Sequence, residues 1–564
     1  MTRFLIVALS LSAAAFPQMT PEQRLFDFQT LANIFAKNYA PYEWKRDTFG
    51  VDLYNTKPWA DRIRRAQSDL DAIEIMSEYV ASLRDAHSQF EFDSIYTARL
   101  GFSVDLYDGK PLVDSIDRSL LPLSTFPIQI GDELIAIDGR TAEQWIEQNA
   151  RFLGMAEERS LRRLAAHYIT LRYQAYLPRA FEHDATAAVQ ILHQNGETVT
   201  YQIPWQVSGV PFRQVGPVPS PKSATTLRTS AAEDSADLGV NPGLRQLWAY
   251  HNRRAGAHVR VGGLGARNPV YRLPDGFVVR LGRTTTDFHF SGTYVAGGKR
   301  IGLIRIPHFA PSNMNAAINE IVNEVLFMQA NTDALVVDVT RNTGGGCYGT
   351  VPLQLLIPYR FRLPADELRA TAAILTALDQ ELTLARQPGS GYEPWEIALL
   401  ESMVDQVRTA LNENRGRTGP IPICAASFDW DPASDGRGNV LAYSKPIVLL
   451  TDEFTISWGD LFSTVMQDSN RATLFGYRTQ GAGGAVSELR AGSFSETSTS
   501  FSISLGIRQT PTFSSEYGTT NVMENVGVRP HSYYDAMTRE NLLEQGRPFT
   551  DAFTRVILEE LQAR

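Results

Sequence analysis

Cysteine is scarce in this sequence, with two residues, Cys347 and Cys424, among 564. Two cysteines cannot build a fold that depends on a disulfide framework, and the sequence alone does not say whether they meet. We predict two free, buried thiols. The His-Glu-x-x-His pattern is also missing, and no residues have the spacing of zinc ligands. The sequence therefore indicates no metal and no other cofactor.

Excess positive charge and long hydrophobic runs are lacking as well. Lys and Arg number 53 against 62 Asp and Glu, and the formal net charge is −9 without a long basic run. Nucleic acid is therefore not an expected partner. No apolar run reaches the roughly 20 residues that span a bilayer, so we predict no stable membrane insertion. The hydrophobic share of 43% is ordinary for a globular enzyme, and the length allows two to four domains.

The N-terminus has the layout of a cleavable export signal. Arg3 precedes an apolar run over residues 4–15, which ends in three alanines shortly before Pro17. The run is too short to cross a membrane but has the length of the apolar region of a secretory signal. We predict a signal peptide over residues 1–15 and a mature protein that is secreted or periplasmic, that is, extracytoplasmic.

A serine stands at the most informative turn of the chain. Residues 446–451 form a short apolar run typical of a strand buried on both faces, and apolar residues recur at helical spacing from Trp458. Ser457 thus lies where a strand turns into a helix N-terminus, next to unpaired backbone N–H groups and the positive end of the helix dipole. A hydroxyl placed there is a candidate nucleophile. The alternative is that Ser457 only caps the helix.

A histidine stands at a second junction. Residues 20–83 have a mainly helical pattern, and strand-like alternation begins after His87. We predict an N-terminal helical region over residues 16–97 that carries His87. The histidine is either a catalytic residue or an ordinary surface or capping residue.

The next region is predicted to be rich in β-structure. Arg99-Leu-Gly-Phe102 looks like the carboxylate-binding loop of a PDZ domain, and residues 131–139 look like its central hairpin. We therefore predict a PDZ-like domain over residues 98–207.

The PDZ resemblance implies that a peptide adds to a sheet edge, with its carboxylate held by backbone N–H groups of Leu100, Gly101 and Phe102. One long helix is expected over residues 141–176, which is more than a PDZ domain needs. The alternative is a purely structural β-domain.

Residues 208–298 are predicted to be a linker or an insertion. The stretch from 207 to 243 is rich in Pro and Ser, a composition that disfavours a packed element. Our hypothesis is that this segment is nicked by proteolysis and screens the active site before cleavage.

Residues 299–564 are predicted to form an α/β core. Strand-like apolar runs at 301–306 and 334–339 flank a helical run at 314–328. Such strand–helix–strand units predict a mostly parallel sheet with right-handed crossovers. A mainly helical insertion is expected at about 364–414.

A glycine run follows the second of these strands. Gly344-x-Gly346-x-x-Gly349 formally matches a dinucleotide fingerprint, with an acidic pair at 366–367. Pro364 interrupts the strand that should carry this pair, which argues against nucleotide binding. Backbone N–H groups at a glycine turn can instead form an oxyanion hole.

Four separated segments together resemble the superfamily of tail-specific, or carboxyl-terminal processing, peptidases, which includes the tricorn core. The segments are the Asp-x-x-x-Asn-x-Gly-Gly pattern from Asp338 to Gly345, the turn at Ser457, residues 523–530, and the Asp85-x-His87 motif. The resemblance implies an α/β peptidase core of the ClpP/crotonase type, with an N-terminal helical region and an inserted PDZ-like β-domain.

Two departures from the family pattern matter. Thr340 stands where the family usually has Arg, and Ala482 stands where the processing peptidases have a lysine base. A Ser–Lys dyad is therefore excluded at that site. Resemblance to the tricorn-like branch instead implies His87 as the base and Glu524 as its supporting carboxylate. His531, close to Glu524, is a rival base, but the family usually has Asp there.

The function implied by the resemblance is a secreted serine endopeptidase that acts on protein or peptide substrates. Ser457 would attack the peptide carbonyl, and the N–H of Trp458 with that of Gly344 or Gly345 would hold the oxyanion. A homodimer is one candidate assembly. The alternative is a catalytically silent relative that binds peptides or apolar ligands.

Overall fold

The computed structural model describes residues 18–92, 94–213, 263–425 and 427–563. Its helices, numbered in chain order, are α1 (Pro21–Asn38), α2 (Tyr42–Phe49), α3 (Lys57–Arg65), α4 (Asp69–Ala81), α5 (Ala142–Ala150), α6 (Glu158–Thr170), α7 (Met314–Asn331), α8 (Thr350–Leu356), α9 (Ala372–Ala385), α10 (Pro394–Asn412), α11 (Trp458–Asp468), α12 (Arg539–Leu543) and α13 (Arg547–Gln562). Within these ranges no helix combines the length and apolar character needed to cross a membrane.

The strands are short and numerous. They are β1 (Gln89–Phe92), β2 (Thr97–Arg99), β3 (Phe102–Tyr107), β4 (Lys110–Ile116), β5 (Glu133–Ile137), β6 (Arg140–Thr141), β7 (Leu171–Tyr173), β8 (Thr186–Leu192), β9 (Thr198–Pro204), β10 (Gln206–Ser208), β11 (Val278–Leu281), β12 (Phe290–Ala296), β13 (Lys299–Arg305), β14 (Ala334–Asp338), β15 (Phe361–Arg362), β16 (Ala365–Leu368), β17 (Ile421–Pro422), β18 (Asp429–Trp430), β19 (Ile447–Thr451), β20 (Thr473–Gly476), β21 (Val486–Arg490), β22 (Thr497–Ser502), β23 (Ser504–Ser514), β24 (Gly518–Val522) and β25 (Ser532–Tyr533).

Two predictions fall partly or wholly outside the described residues. The signal peptide at residues 1–15 is one of them. Most of the Pro/Ser-rich stretch is the other, so its nicking stays a hypothesis.

Helices α1 to α4 form the N-terminal region. Reciprocal capping boxes begin α1 at Thr20 and α4 at Ser68, and both helices bury apolar faces in a shared core. Strand β1 then pairs antiparallel with β22, so that Gln89 lies opposite Ser500. His87 lies between α4 and β1, at the helix-to-strand junction that the sequence predicts. Pairing with a strand from the far end of the chain thus anchors the histidine.

The PDZ-like domain is a sheet in the order β3-β4-β5-β8-β9, covered by α5 and α6. The prediction of one long helix over 141–176 is wrong. Non-helical residues 151–157 separate α5 from α6, and we call this interruption the break between the two helices. Gly154 lies in this break. A Cβ on Gly154 would come within 2.7 Å of the Ser88 carbonyl and 2.8 Å of the Asp85 carbonyl. The break therefore brings the domain's backbone against the loop that carries His87.

The α/β core is built on a seven-stranded sheet in the order β11-β12-β13-β14-β19-β20-β25. The pairs from β13 to β25 are parallel, and β11 and β12 are antiparallel to their neighbours. The predicted mostly parallel sheet is confirmed. The α/β core was predicted to begin at residue 299, but strands β11 and β12, which precede that residue, belong to the same sheet. Strand β11 has four residues and no fully buried position, so its sequence carries little periodic signal.

The predicted helical insertion at 364–414 consists mainly of α9 and α10, which pack on each other around their own small apolar cluster. It also contains β16, which joins β17, β23 and β24 in a separate sheet. Asp366 lies on β16, away from the parallel sheet that a dinucleotide fold would require. The dinucleotide alternative is therefore not supported.

The prediction of two free thiols is wrong. Cys347 and Cys424 form a disulfide with 5.9 Å between their Cα atoms, and both residues are buried. Their separation of 77 residues gives no local signal, so only the fold could bring them together.

Candidate active site

Ser457 stands at the turn between β19 and α11, as predicted. A hydrogen bond from the Gly459 N–H to the Ile456 carbonyl, 2.8 Å long, closes the turn. The φ of 59° and ψ of −119° at Ser457 are those of the first central residue of a type II′ turn, where glycine is usual. A serine that merely caps a helix has extended backbone instead. This conformation costs on the order of 1–3 kcal/mol and favours a nucleophile over a cap.

Two backbone N–H groups beside the serine are candidates for an oxyanion hole. Those of Gly345 and Trp458 have no hydrogen-bond acceptor in the part of the chain that the structure describes. The Gly344 N–H, by contrast, donates to Asn342 Oδ1 at 2.8 Å. Of the three residues proposed from the sequence, Gly345 and Trp458 therefore have an N–H available, and Gly344 does not.

Gly344 has a different role, which is to let the glycine run approach the serine. Its φ is +79°, and a Cβ there would lie 2.4 Å from Ser457 Cβ. The run is fixed on its other side by Phe309, whose N–H donates to the Gly344 carbonyl and whose carbonyl accepts the Gly346 N–H. Phe309 and Gly345 thus form an isolated parallel bridge, in which Phe309 bonds the residues on either side of Gly345 and the Gly345 N–H itself takes no part.

Buried side chains support this glycine run. The Asn342 amide donates to the Ile306 carbonyl at 2.8 Å, and Arg305 forms a fully buried ion pair of 2.8 Å with Asp338. Arg305 also donates to Thr340 Oγ1 at 3.0 Å. Arg305, on the neighbouring strand β13, thus places a guanidinium beside Asp338 and Thr340.

Asp460 stabilises the serine turn by hydrogen bonds to backbone N–H groups. Its buried carboxylate accepts the N–H groups of Ser457 at 3.0 Å, Gly481 at 2.9 Å and Ala482 at 3.1 Å. Burial raises the pKa of Asp460 to about 6, although these N–H donors act in the opposite direction. The residue at the family's lysine position, Ala482, thus contributes its backbone to the site.

The backbone of His87 is held by a neighbouring carboxylate, that of Asp85. Its backbone N–H donates to Asp85 Oδ1 at 2.7 Å, while Asp85 Oδ2 accepts the hydroxyls of Ser88 and Ser502, both at 2.9 Å. The ring nitrogen Nδ1 is buried and has no partner among the described residues. Burial lowers the pKa of His87 below its usual value, with the Asp85 charge opposing the shift. The imidazole is therefore neutral at pH 7, the form that a general base requires.

Glu524 is buried and pairs with Lys45, whose Nζ lies 2.5 Å from Oε1. Burial and the Asp85 charge raise the pKa of Glu524 to about 8, against the effect of Lys45. Within the described ranges, no hydrogen bond joins the His87 ring to Glu524 or to the Ser457 hydroxyl. Catalytic hydrogen bonds are often long without substrate and tighten in the reacting complex.

Short contacts nevertheless connect the three segments. The Gly481 N–H is held by Asp460, the Gly481 carbonyl accepts the Asn525 N–H at 2.8 Å, and the Asn525 side chain donates to the Arg84 carbonyl at 2.9 Å. The serine turn, the Glu524 segment and the loop before His87 are thus linked by three hydrogen bonds.

His531 is placed elsewhere. Its Nδ1 accepts the Leu474 N–H at 2.9 Å, on β20 near the edge of the core sheet, and the charge of Glu560 on α13 acts on its pKa. This position favours His87 as the base.

The PDZ-like loop differs from an open peptide site. The Leu100 N–H donates to the Thr170 carbonyl at the end of α6, at 3.0 Å, and the Gly101 carbonyl accepts the Asp117 N–H at 2.8 Å. Leu100 and Phe102 are buried. One of the three expected N–H donors is therefore occupied by the chain's own helix.

Three residues of the site were missed by sequence reasoning. Asp460 had a local signal, because Ser457-x-x-Asp460 matches the capping-box spacing. Arg305 and Lys45 had none, since each meets its carboxylate partner through the tertiary fold alone.

The fold and the serine turn define a class of protein, a serine protease with an α/β core and a PDZ-like domain. Residues 300–532 match the model of peptidase family S41, and residues 96–211 match that of a PDZ domain. The chain thus contains an S41 peptidase domain, and the predicted enzyme class and fold class are confirmed.

Chlamydial proteins are among the relatives of this chain. A protein of Chlamydia trachomatis serovar D is 24% identical over 591 aligned residues, which cover 94% of this chain and 92% of the relative. A protein of Chlamydia pneumoniae is 22% identical, and the alignment covers 98% of this chain and 92% of that relative.

The crystal structure of mature CPAF is similar to this structure, with a TM-score of 0.72 at 21% identity, and covers 96% of this chain and 98% of CPAF. CPAF complexed with lactacystin has a TM-score of 0.71. The order of His, Ser and Glu in the sequence already suggests a resemblance to this chlamydial protease-like activity factor, and the shared fold confirms it.

Proposed function

We propose that this chain is an exported serine endopeptidase in which Ser457 is the nucleophile, His87 the general base and Glu524 the carboxylate that supports the base. The strained turn of Ser457, beside two N–H groups that have no acceptor among the described residues, carries the proposal. A strained backbone and unpaired N–H groups both cost stability, and they are useful where an oxyanion forms.

The proposed reaction has two halves. Ser457 Oγ attacks the peptide carbonyl carbon while His87 takes the hydroxyl proton, and the N–H groups of Gly345 and Trp458 hold the oxyanion. The intermediate collapses, the C–N bond breaks, and the amine leaves with the proton from His87. Water, deprotonated by His87, then hydrolyses the ester on Ser457.

A fluorophosphonate probe tests this assignment directly. We expect the wild-type protein to be labelled, Ser457→Ala to be unlabelled, and His87→Ala to lose several orders of magnitude in labelling rate and in kcat. His531→Ala is the matched control and should retain both.

Two outcomes would contradict the assignment. An active His87→Ala protein would remove the proposed base. Absence of labelling in the wild type, before and after limited proteolysis, would favour the catalytically silent, ligand-binding alternative.

Lactacystin offers a second readout, because CPAF complexed with it has the same fold. We expect preincubation with lactacystin to reduce probe labelling of Ser457 in this chain. Undiminished labelling at high lactacystin concentration would show that the two sites differ in shape.

Export is supported by the apolar N-terminal run and by the disulfide, since disulfides persist mainly in oxidising compartments. The mass of the protein from an extracytoplasmic fraction should correspond to a chain that begins near residue 16. Assembly as a homodimer and the absence of a nucleic-acid partner stay predictions.

A further inference from the structure

Lys45 is a fully buried lysine that the proposed reaction does not use. It lies on α2, and its side chain is 0% exposed. Its ammonium group donates to Glu524 Oε1 at 2.5 Å, Asn525 Oδ1 at 2.7 Å and the Arg84 carbonyl at 2.8 Å. All three protons therefore have an acceptor, which is the arrangement that a buried ammonium requires.

The surroundings of this ammonium are built from several parts of the chain. Asn525 also accepts the Trp44 indole N–H at 3.1 Å and donates to the Ala156 carbonyl at 3.0 Å. Helix α2, the loop before His87 and the break between α5 and α6 thus meet at the Glu524–Asn525 pair. Lys45 occupies the centre of that junction.

Among the described residues, two carboxylates and one ammonium are the principal charges that act on Glu524, and the buried phenol of Tyr39, directly after α1, also interacts with it. Asp85 lies on the His87 loop, Asp460 on α11 and Lys45 on α2. Asp85 and Asp460 both favour the neutral form of Glu524, as does burial, and Lys45 is the cation that opposes them. Without Lys45, Glu524 would be a buried acid facing two like charges, and its neutral form would be favoured still further.

We propose that Lys45 is a positioning residue that orients Glu524 through their buried ion pair and favours its carboxylate form. The inference rests on the proposed function, because it assumes that Glu524 supports the imidazolium. A carboxylate stabilises the positive charge that forms when His87 takes the Ser457 proton, and a neutral carboxyl does not. Lys45 keeps its own proton throughout, so its role differs from that of the base in a Ser–Lys dyad.

The pH profile of kcat/KM tests this role in Lys45→Met, which keeps the length of the side chain and removes its charge. The active form of Glu524 is the deprotonated one, so activity rises as pH increases through its pKa, which lies at about 8 in the wild type. Loss of the ammonium raises this pKa, and the rising limb should move up by roughly one unit or more. Activity at pH 7 should fall about tenfold and recover at higher pH.

A matched control and a double-mutant cycle complete the experiment. Lys57→Met removes an exposed lysine of α3 that pairs with Asp61, and its profile should equal that of the wild type. In a Glu524→Gln background, Lys45→Met should cause little further loss, because the group on which it acts is absent. The double variant removes both charges of the buried pair and therefore guards against misfolding of the single variant.

The outcomes separate the two proposals. Equal loss of activity at every pH, or additive losses in the cycle, would show that Lys45 is merely structural and would overturn the inference. If Glu524→Gln is as active as the wild type, or if the wild type is inactive, the proposed function itself fails.

Discussion

At the scale of single residues, the site depends on backbone conformations that most side chains disfavour. Ser457 has the φ of a glycine turn, and Gly344 faces it so closely that a methyl group would clash with its Cβ. These two conformations place the hydroxyl and the N–H groups of Gly345 and Trp458 on adjoining backbone. The geometry is set before substrate arrives, which is what makes such donors effective.

Gly344→Ala should abolish activity. Its added Cβ would lie 2.4 Å from Ser457 Cβ, so the serine turn has to move, and we expect at least a 100-fold loss of probe labelling. Gly109→Ala is the matched control, because Gly109 also has a positive φ, +75°, but an added Cβ there would have no atom of the described residues within 4 Å. It should cost only the strain of the left-handed conformation, roughly 1–2 kcal/mol of stability, with full labelling. Equal labelling of the two variants would contradict the proposed packing.

At the scale of elements, the segment after the glycine run is tied down by the Cys347–Cys424 disulfide. Cys347 is two residues from Gly345, and Cys424 belongs to the segment after the helical insertion. The disulfide therefore links the end of the glycine run to the segment that follows β17, a strand that pairs with β16 outside the core sheet. Loop closure over 77 residues should stabilise the fold by about 4.5 kcal/mol in the chain-entropy account.

The variant Cys347→Ala/Cys424→Ala should therefore unfold at a lower temperature and show reduced kcat. Wild-type protein treated with a dithiol reductant should behave like the variant, and the variant itself should not respond to reductant. Calorimetry and peptide hydrolysis with and without reductant measure both effects. Wild-type stability that does not change after complete reduction would contradict this account.

At the scale of the whole molecule, the PDZ-like domain is joined to the core by buried charge. Arg163 of α6 pairs with Asp105 of β3 at 2.6 Å and with Glu453 of the core at 2.9 Å, and all three side chains are at most 2% exposed. Removing one partner of such a network leaves the others uncompensated in a low-dielectric interior. The two domains are therefore expected to unfold together.

Arg163→Leu should lower the free energy of unfolding by roughly 3–5 kcal/mol and separate one thermal transition into two. Arg162→Leu is the control, because Arg162 pairs with Glu143 at the surface, where their side chains are 34% and 53% exposed. We expect a change below about 1 kcal/mol there. Similar destabilisation by both variants would show that the buried network does not couple the domains.

The sequence by itself determined the features that depend on near neighbours. Apolar periodicity located the strand before Ser457 and the helix after it, the helical region that ends at His87, and the α/β core. The missing lysine at Ala482 already indicated another base. The sequence did not predict strand β11 or the break between α5 and α6, since short strands and helix breaks carry weak periodic signals. It did not predict the hydrogen bond of the Leu100 N–H either, because that bond is a contact with the distant Thr170 carbonyl.

Only the tertiary structure decided which distant groups meet. Lys45 and Glu524 are 479 positions apart, and the cysteines are 77 apart. Neither pair leaves a pattern in the local sequence, because a contact between distant segments depends on strand pairing and on the packing of whole helices. The sequence suggested the Gly344 N–H as an oxyanion donor, but in the structure Asn342 accepts that N–H. This difference has the same origin, because the Asn342 side chain is positioned by its hydrogen bond to the Ile306 carbonyl, directly after β13.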